Sequence, residues 1–287
     1  MNTVDSAPAG GAALGQVFGA TAAAMLATGL LLYLGWAHRT GRSNILRRLA
    51  DLAARDTGFA PWAALPSLVA AGALLVAVLG MYWDISLHID EGRDTGPLAN
   101  PAHYLILFGL FGIFTAGFLA IVLPEGKPSK RAVHIAGDWY APLGGIAMLA
   151  ASAFALIGFP LDDIWHRIFG QDVTLWGPTH LMLIGGAGLT LIGSAILIVE
   201  GRGDTISDED QKPQYFIDRV ITYVARYRKS FAMGGLLLGL STFQAEFDFG
   251  VPQFQFVLEP IMLAFAAGVS LVAARIWIGR GAALGSR

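Results

Sequence analysis

Long apolar runs separated by short polar segments cover most of this chain. A membrane-spanning helix needs about 20 mostly apolar residues. Seven segments approach that pattern: 15–36, 62–84, 103–123, 139–160, 180–199, 231–246 and 254–277. The sixth is short before it meets Gln244 and Glu246, and the seventh carries Glu259 near its start. The pattern predicts an all-α, polytopic membrane helical bundle of about seven transmembrane helices, folded as one domain over 1–287.

One polar unit occurs twice at the ends of these runs. It has the form Gly-x3-Asp-x3-His, followed at the start of the next run by Pro-x-His. Its copies comprise Gly80, Asp84, His88, Pro101 and His103, and Gly158, Asp162, His166, Pro178 and His180. The offset is 78 residues at Asp and the first His, and 77 at Pro-x-His. We interpret 62–123 and 139–199 as parallel helix-hairpin repeats related by an axis near the membrane normal.

Composition favours an integral membrane protein. Hydrophobic residues make up 55% of the chain and charged residues 14%, whereas a soluble domain carries about 25% charged residues. We expect a lipid bilayer around the chain and no nucleic-acid partner. The absence of cysteine excludes disulfides, iron–sulfur clusters, thiolate zinc and covalent haem. The first 14 residues contain no Lys or Arg, so the first run reads as a retained helix rather than a secretory leader.

Basic residues fall in alternate connecting segments. Seventeen of the nineteen Lys and Arg residues lie in 37–61, 124–138, 200–230 and the C-terminal region, and the alternate loops hold only Arg93 and Arg167. The positive-inside rule makes the basic side cytoplasmic. We expect a bacterial plasma membrane protein with its N-terminus outside, its C-terminus inside and both copies of the polar unit on the extracytoplasmic side.

The cytoplasmic segment 200–230 has two parts. Its first half, GRGDTISDEDQKP, is polar and turn-rich, which predicts a loop. Its second half, YFIDRVITYVARYRK, has apolar residues at helical spacing beside a basic face. That pattern is typical of an amphipathic helix at the inner membrane surface, and a protein-docking helix is the alternative.

The spacing of the polar unit predicts a metal site. Residues i and i+4 share one helix face, so Asp and the first His point the same way. The second His enters from the next helix at the same depth, after a proline that suits a helix start. Each copy then offers two imidazoles and one carboxylate, either as one shared site or as two. The predicted ligands are Asp84, His88, His103, Asp162, His166 and His180.

Imidazole suits copper, zinc, iron and nickel. The aspartate is either a direct ligand or a group that orients an imidazole. On an outer face without cysteine, copper(II) or zinc fits this chemistry, and two histidines with one carboxylate also match non-haem iron sites.

Other polar residues are weaker candidates. Glu246 and Asp248 lie in a third outer turn, where they supply charge beside a site, line an entry path or solvate the loop. Glu259 is a carboxylate in an apolar run, which is costly unless paired or hydrated. His38 and His134 fall at the cytoplasmic side, and we exclude both as ligands.

The hairpin motif resembles the metal motif in the C subunit of particulate methane and ammonia monooxygenases. That motif is Asp-x3-His-x12-His. Here the second spacing is x13 from His166 to His180 and x14 from His88 to His103. The resemblance covers the motif hairpins, about a third of the chain, and the helical topology. It implies copper as the metal, oxygen chemistry on small apolar molecules, and membrane partner subunits.

Three other functions fit the sequence. Paired histidines on neighbouring helices are able to ligate haem in an electron-transfer subunit. Polar helix ends are able to form an outward site for metal transport or delivery. Glycine-rich helix faces, such as Gly235-x3-Gly239, suit close helix packing in a homo-oligomer or a non-catalytic subunit of a larger complex.

Overall fold

A computed structural model describes residues 12–55, 59–91, 96–169, 175–202, 233–244 and 256–284. Within these ranges the chain is an all-α helical bundle. The helices are α1 Leu14–Arg39, α2 Ile45–Ala54, α3 Pro61–Glu91, α4 Pro101–Val122, α5 Leu143–Phe169, α6 Pro178–Glu200, α7 Met233–Thr242 and α8 Glu259–Trp277. Six of them, all except α2 and α7, are long and apolar enough to cross a membrane.

The predicted spans differ from these helices mainly at their ends. The second and fourth spans, predicted to stop at 84 and 160, continue as helix to Glu91 and Phe169. Hydropathy falls at Asp84 and Asp162, but the backbone hydrogen bonds of both helices continue beyond these residues. The predicted span 231–246 contains only the ten-residue helix α7 within the described part of the chain. The segment 203–232, which includes most of the predicted cytoplasmic loop and the amphipathic helix, lies outside the described residues.

A small β-hairpin, which the sequence analysis did not predict, precedes α5. Strand β1 covers Val133–Ala136, strand β2 covers Trp139–Ala141, and the two pair antiparallel. The turn contains Gly137 at φ 52°, a left-handed conformation that glycine adopts without steric cost. The predicted span 139–160 therefore begins too early, because Trp139 belongs to a strand and α5 starts only after Pro142.

The two hairpins pack in the same way at corresponding glycines. A Cβ on Gly109 of α4 would lie 2.5 Å from Ala77 Cβ and 2.7 Å from the Ala73 carbonyl oxygen of α3. A Cβ on Gly186 of α6 would lie 2.7 Å from Ala155 Cβ and 2.7 Å from the Ala151 carbonyl oxygen of α5. Small residues allow helix backbones to approach closely in membranes. Each hairpin therefore holds its helices in contact about two turns away from the second histidine of the polar unit.

Helix α1 is attached to the bundle at both ends by polar contacts. At its start, the Ala12 amide donates to Asp163 Oδ1 at 3.0 Å, and Arg167 donates to the Ala12 carbonyl at 2.9 Å. At its end, Arg39 donates to the Pro124 carbonyl at 2.7 Å and stacks over Trp139. Along most of its length α1 is exposed, as expected for a helix that faces lipid.

Glu200, the last residue of α6, caps the start of α5. Its carboxylate accepts hydrogen bonds from the Leu143 and Gly144 amides at 3.2 and 2.9 Å and from Ser129 Oγ at 2.9 Å. The first amides of a helix have no partner within the helix, and negative charge there is favourable. This contact fixes the end of the second hairpin opposite its histidines.

Candidate metal centre

The first group forms where α3 ends and α4 begins. Asp84 and His88 lie one turn apart on α3, and His103 lies in the first turn of α4. Asp84 Oδ1 lies 3.0 Å from His103 Nε2 and 3.5 Å from His88 Nε2. Both rings therefore present the same nitrogen to one carboxylate oxygen, and one ligand atom from each residue lies within 4.8 Å of the others.

The second group has the same composition at the end of α5 and the start of α6. Asp162 Oδ2 lies 3.3 Å from His166 Nε2, and Asp162 Oδ1 lies 3.5 Å from His180 Nε2. The two imidazole ring centroids are 5.8 Å apart. The two histidines therefore use different oxygens of the carboxylate, unlike the first group, and Asp162 and His166 are buried.

These separations are close to those of ligands around a metal ion. Two ligands bonded at about 2.0 Å and separated by 90–110° are about 2.8–3.3 Å apart. The four nitrogen-to-oxygen separations run from 3.0 to 3.5 Å. Each set of three protein ligands would also leave coordination positions open, as catalytic metal sites do. The six predicted ligands thus lie in two groups of three, and not in one shared group.

A backbone contact orients His103. Its Nδ1–H donates to the Pro97 carbonyl oxygen at 2.7 Å, since a carbonyl only accepts. The remaining nitrogen, Nε2, faces Asp84 Oδ1. Two lone pairs at that distance repel each other, so a proton or a metal ion must lie between them. Metal-binding histidines commonly donate their other ring N–H to a carbonyl or carboxylate in this way.

Two residues that the sequence analysis missed donate hydrogen bonds to the carboxylates. Asn100 Nδ2 donates to Asp84 Oδ1, and Thr179 Oγ1 donates to Asp162 Oδ1, both at 2.5 Å. Asn100 also caps α4, because its Oδ1 accepts the Ala102 amide at 2.9 Å. Asn100, Asp162 and Thr179 are buried, and Asp84 is partly buried.

The two donors do not occupy equivalent positions in the repeat. Asn100 precedes Pro101, whereas Thr179 follows Pro178, so the counterpart of Asn100 is Gly177 and that of Thr179 is Ala102. In the sequence, the only signals that could have indicated these donors were an Asn before a proline, which suits a helix cap, and a hydroxyl residue beside a histidine. The hydrogen bond to the carboxylate is thus present in both groups although the residue that provides it differs.

The two groups are neighbours in the bundle. The His103 ring meets Phe159 of α5 edge to face, with centroids 6.3 Å apart, and Phe159 lies one turn before Asp162. Beneath both groups, Leu110, Ile113 and Ala155 form a buried apolar cluster with partly buried neighbours including Ile106 and Leu183. The hairpins therefore meet through packed apolar side chains below the histidines.

The secondary candidates join neither group. Glu246 and Asp248 lie outside the described residues. Glu259 is the first residue of α8 and belongs to neither set of potential ligands. The excluded histidines lie at the other end of the bundle: His38 is buried near the end of α1, and His134 Nε2 donates to the Gly137 carbonyl in the β-hairpin.

No protein-family model, curated protein or solved structure matches this chain. The similarity of the motif to the monooxygenase C subunit therefore stays a prediction from the residues themselves.

Proposed function

We propose that this chain is an integral membrane metal protein in which each Asp/His group binds one metal ion. The supporting observation is that two separate hairpins each bring two Nε2 atoms to within 3.0–3.5 Å of a carboxylate oxygen. Uncompensated charge and bare imidazole lone pairs are costly near a membrane interior. A metal ion would satisfy all three ligands in each group at once.

Copper is the metal that we favour, with zinc and iron as alternatives. Imidazole binds all three, and the cysteine-free chain offers no thiolate, so the donor set fits copper(II) well. The similarity of Asp-x3-His and its following His to the monooxygenase motif adds support for copper. It also favours a role as a subunit of a copper-dependent, monooxygenase-like complex that acts on small apolar molecules. In such a complex the open coordination positions would bind oxygen or water.

Matching positions in the two hairpins favour an origin of the repeat by internal duplication. The 78-residue offset that relates Asp84 to Asp162 also relates the alanines at 73 and 77 to those at 151 and 155, against which Gly109 and Gly186 pack. The shared element is therefore a complete helix crossing with its polar end, and not only a short motif. We place both groups on the extracytoplasmic side, because the basic segments belong to the other end of the bundle.

Haem binding within one group is disfavoured by the carboxylates. Two axial histidines need a porphyrin plane between their nitrogens. In each group the aspartate carboxylate has an oxygen within 3.5 Å of each Nε2 atom, in the space that the porphyrin would need. A Soret band in the purified protein would reverse this inference.

Transport through the hairpins is disfavoured by the packing below the groups. Leu110, Ile113 and Ala155 are almost fully buried there, and an ion that crossed this cluster would lose its hydration without gaining ligands. A fixed site suits this arrangement better than a path. Metal uptake by proteoliposomes that contain the purified chain would support transport instead.

Elemental analysis of purified protein tests the proposal. The wild type should hold two metal ions per chain after exposure to copper(II) and removal of weakly bound metal. His88→Ala and His166→Ala should each hold one, and the double variant none. His134→Ala, at the opposite end, is the matched control and should hold two. Equal metal content in the wild type and the double variant would refute metal binding by these groups.

A further inference from the structure

The short helix α2 presents apolar residues on two faces. Leu46 and Ala50 are buried against Leu119 and Leu123 near the end of α4. The stripe formed by Ile45, Leu49 and Leu52 is spaced i, i+4 and i+7, and these side chains are 56, 46 and 58% exposed. Among the residues that the structure describes, only the first face is therefore covered by the bundle.

The polar residues of α2 also divide into two faces. Arg47 forms an ion pair with Glu125, which lies in the loop after α4. Asp51 lies one turn after Arg47 on the same side of α2. Arg48 and Arg55 are exposed, are spaced i and i+7, and border the exposed apolar stripe. At about 100° per residue, four faces follow one another around α2 at roughly quarter-turn intervals. In order they are the buried face, the exposed apolar stripe, the face of Arg48 and Arg55, and the face of Arg47 and Asp51.

This order of faces is the one expected for a helix that lies along the membrane surface beside its own bundle. One side packs on the bundle, the next points to the acyl chains, the third points sideways to neighbouring headgroups, and the fourth points to water. The helix joins α1 to α3 at the end of the bundle where the basic segments lie. Trp36, beneath the Arg42 guanidinium at 4.6 Å, provides the aromatic ring that is common at that depth.

We propose that α2 lies in the membrane interface and that Arg48 and Arg55 bind the phosphates of anionic lipid headgroups. The charge is complementary, since anionic lipid attracts basic segments next to a membrane helix. Arginine suits phosphate because its guanidinium donates two parallel hydrogen bonds. The stripe of Ile45, Leu49 and Leu52 occupies the acyl-chain region beneath those headgroups. This proposal is independent of metal binding.

Single-cysteine labelling tests the orientation of α2. The chain contains no native cysteine, so Leu49→Cys and Asp51→Cys each give one labelling position for a fluorophore. In vesicles of phosphatidylcholine and phosphatidylglycerol, lipids brominated on the acyl chain should quench the label at 49, and aqueous iodide should quench the label at 51. Iodide quenching at 49, or no quenching there by either reagent, would overturn the proposal; the second outcome would indicate a protein that covers the stripe.

Lipid selectivity tests the two arginines. The measurement is the ratio of phosphatidylglycerol to phosphatidylcholine retained by the purified protein in native mass spectrometry. Each of Arg48→Gln and Arg55→Gln should lower that ratio by up to about fivefold, since a basic residue near the surface contributes about that factor. Arg47→Gln removes the same charge from the face paired with Glu125 and is the control. An equal effect of Arg47→Gln, or no effect of the double variant, would overturn the proposal.

Discussion

Replacing Thr179 by valine isolates the hydrogen bond that orients a carboxylate. Valine keeps the shape of threonine, so the change removes only the O–H that donates to Asp162 Oδ1 at 2.5 Å. Both residues are buried, so water does not readily replace the lost donor. Removing a group that orients a metal ligand weakens metal affinity about 10–100-fold, which corresponds to roughly 1.4–2.7 kcal/mol. We expect a loss of this size at the second group only.

A background that leaves one working group makes the measurement specific. In His88→Ala protein only the second group binds, and copper(II) affinity follows from competition with a chelator, read by electron paramagnetic resonance. Thr179→Val should weaken that affinity, and Thr179→Ser, which keeps the hydroxyl, should restore it. In His166→Ala protein, where only the first group binds, Thr179→Val should change affinity less than twofold. An equal loss in both backgrounds would indicate general structural damage and refute the orienting role.

Two further predictions concern the hairpin packing, and thermal unfolding in detergent measures both. Gly186→Ala should lower the free energy of unfolding by about 1–3 kcal/mol, because its Cβ would lie 2.7 Å from the Ala151 carbonyl oxygen and from Ala155 Cβ. Gly185→Ala is the control: a Cβ there would have nothing within 4 Å, so the free energy of unfolding should stay the same or rise slightly. Glu200→Gln should lower the free energy of unfolding by about 1 kcal/mol, because a neutral amide caps the start of α5 less well than a carboxylate. Glu125→Gln is the control: Glu125 forms an exposed ion pair with Arg47, so its replacement should lower the free energy of unfolding by less than about 1 kcal/mol. A larger loss of stability in Gly185→Ala than in Gly186→Ala, or in Glu125→Gln than in Glu200→Gln, would contradict the reasoning.

The helices that cross the membrane were predictable because their apolar runs exceed the required length. Their ends were not, because α3 and α5 continue into polar sequence, where hydropathy no longer reports helix. The β-hairpin before α5 escaped prediction for the same reason: Trp139 and Tyr140 look like the start of an apolar run. Only pairing with Val133 and His134 shows them to be a strand.

The ligand sets were predictable from helix geometry, but their surroundings were not. The i, i+4 spacing and the returning helix were enough to group Asp84 with His88 and His103. The choice between one shared site and two depends on how the hairpins pack, which no local pattern encodes. Asn100 and Thr179 were missed because they donate the same hydrogen bond from positions that do not correspond in the repeat.

The polar contacts at the two ends of α1 set an order for biogenesis. At its start, Ala12 binds to Asp163 and Arg167, about 150 residues later in the chain. At its end, Arg39 binds to Pro124. A ribosome adds about 5–20 residues per second, N-terminus first, so α1 reaches the membrane many seconds before either partner exists. During that interval these polar contacts are absent from both ends of α1. The start of α1 becomes attached only after α5 has been inserted, so in a chain that stalled before α5 only the end of α1 would be held, through Arg39 and Pro124.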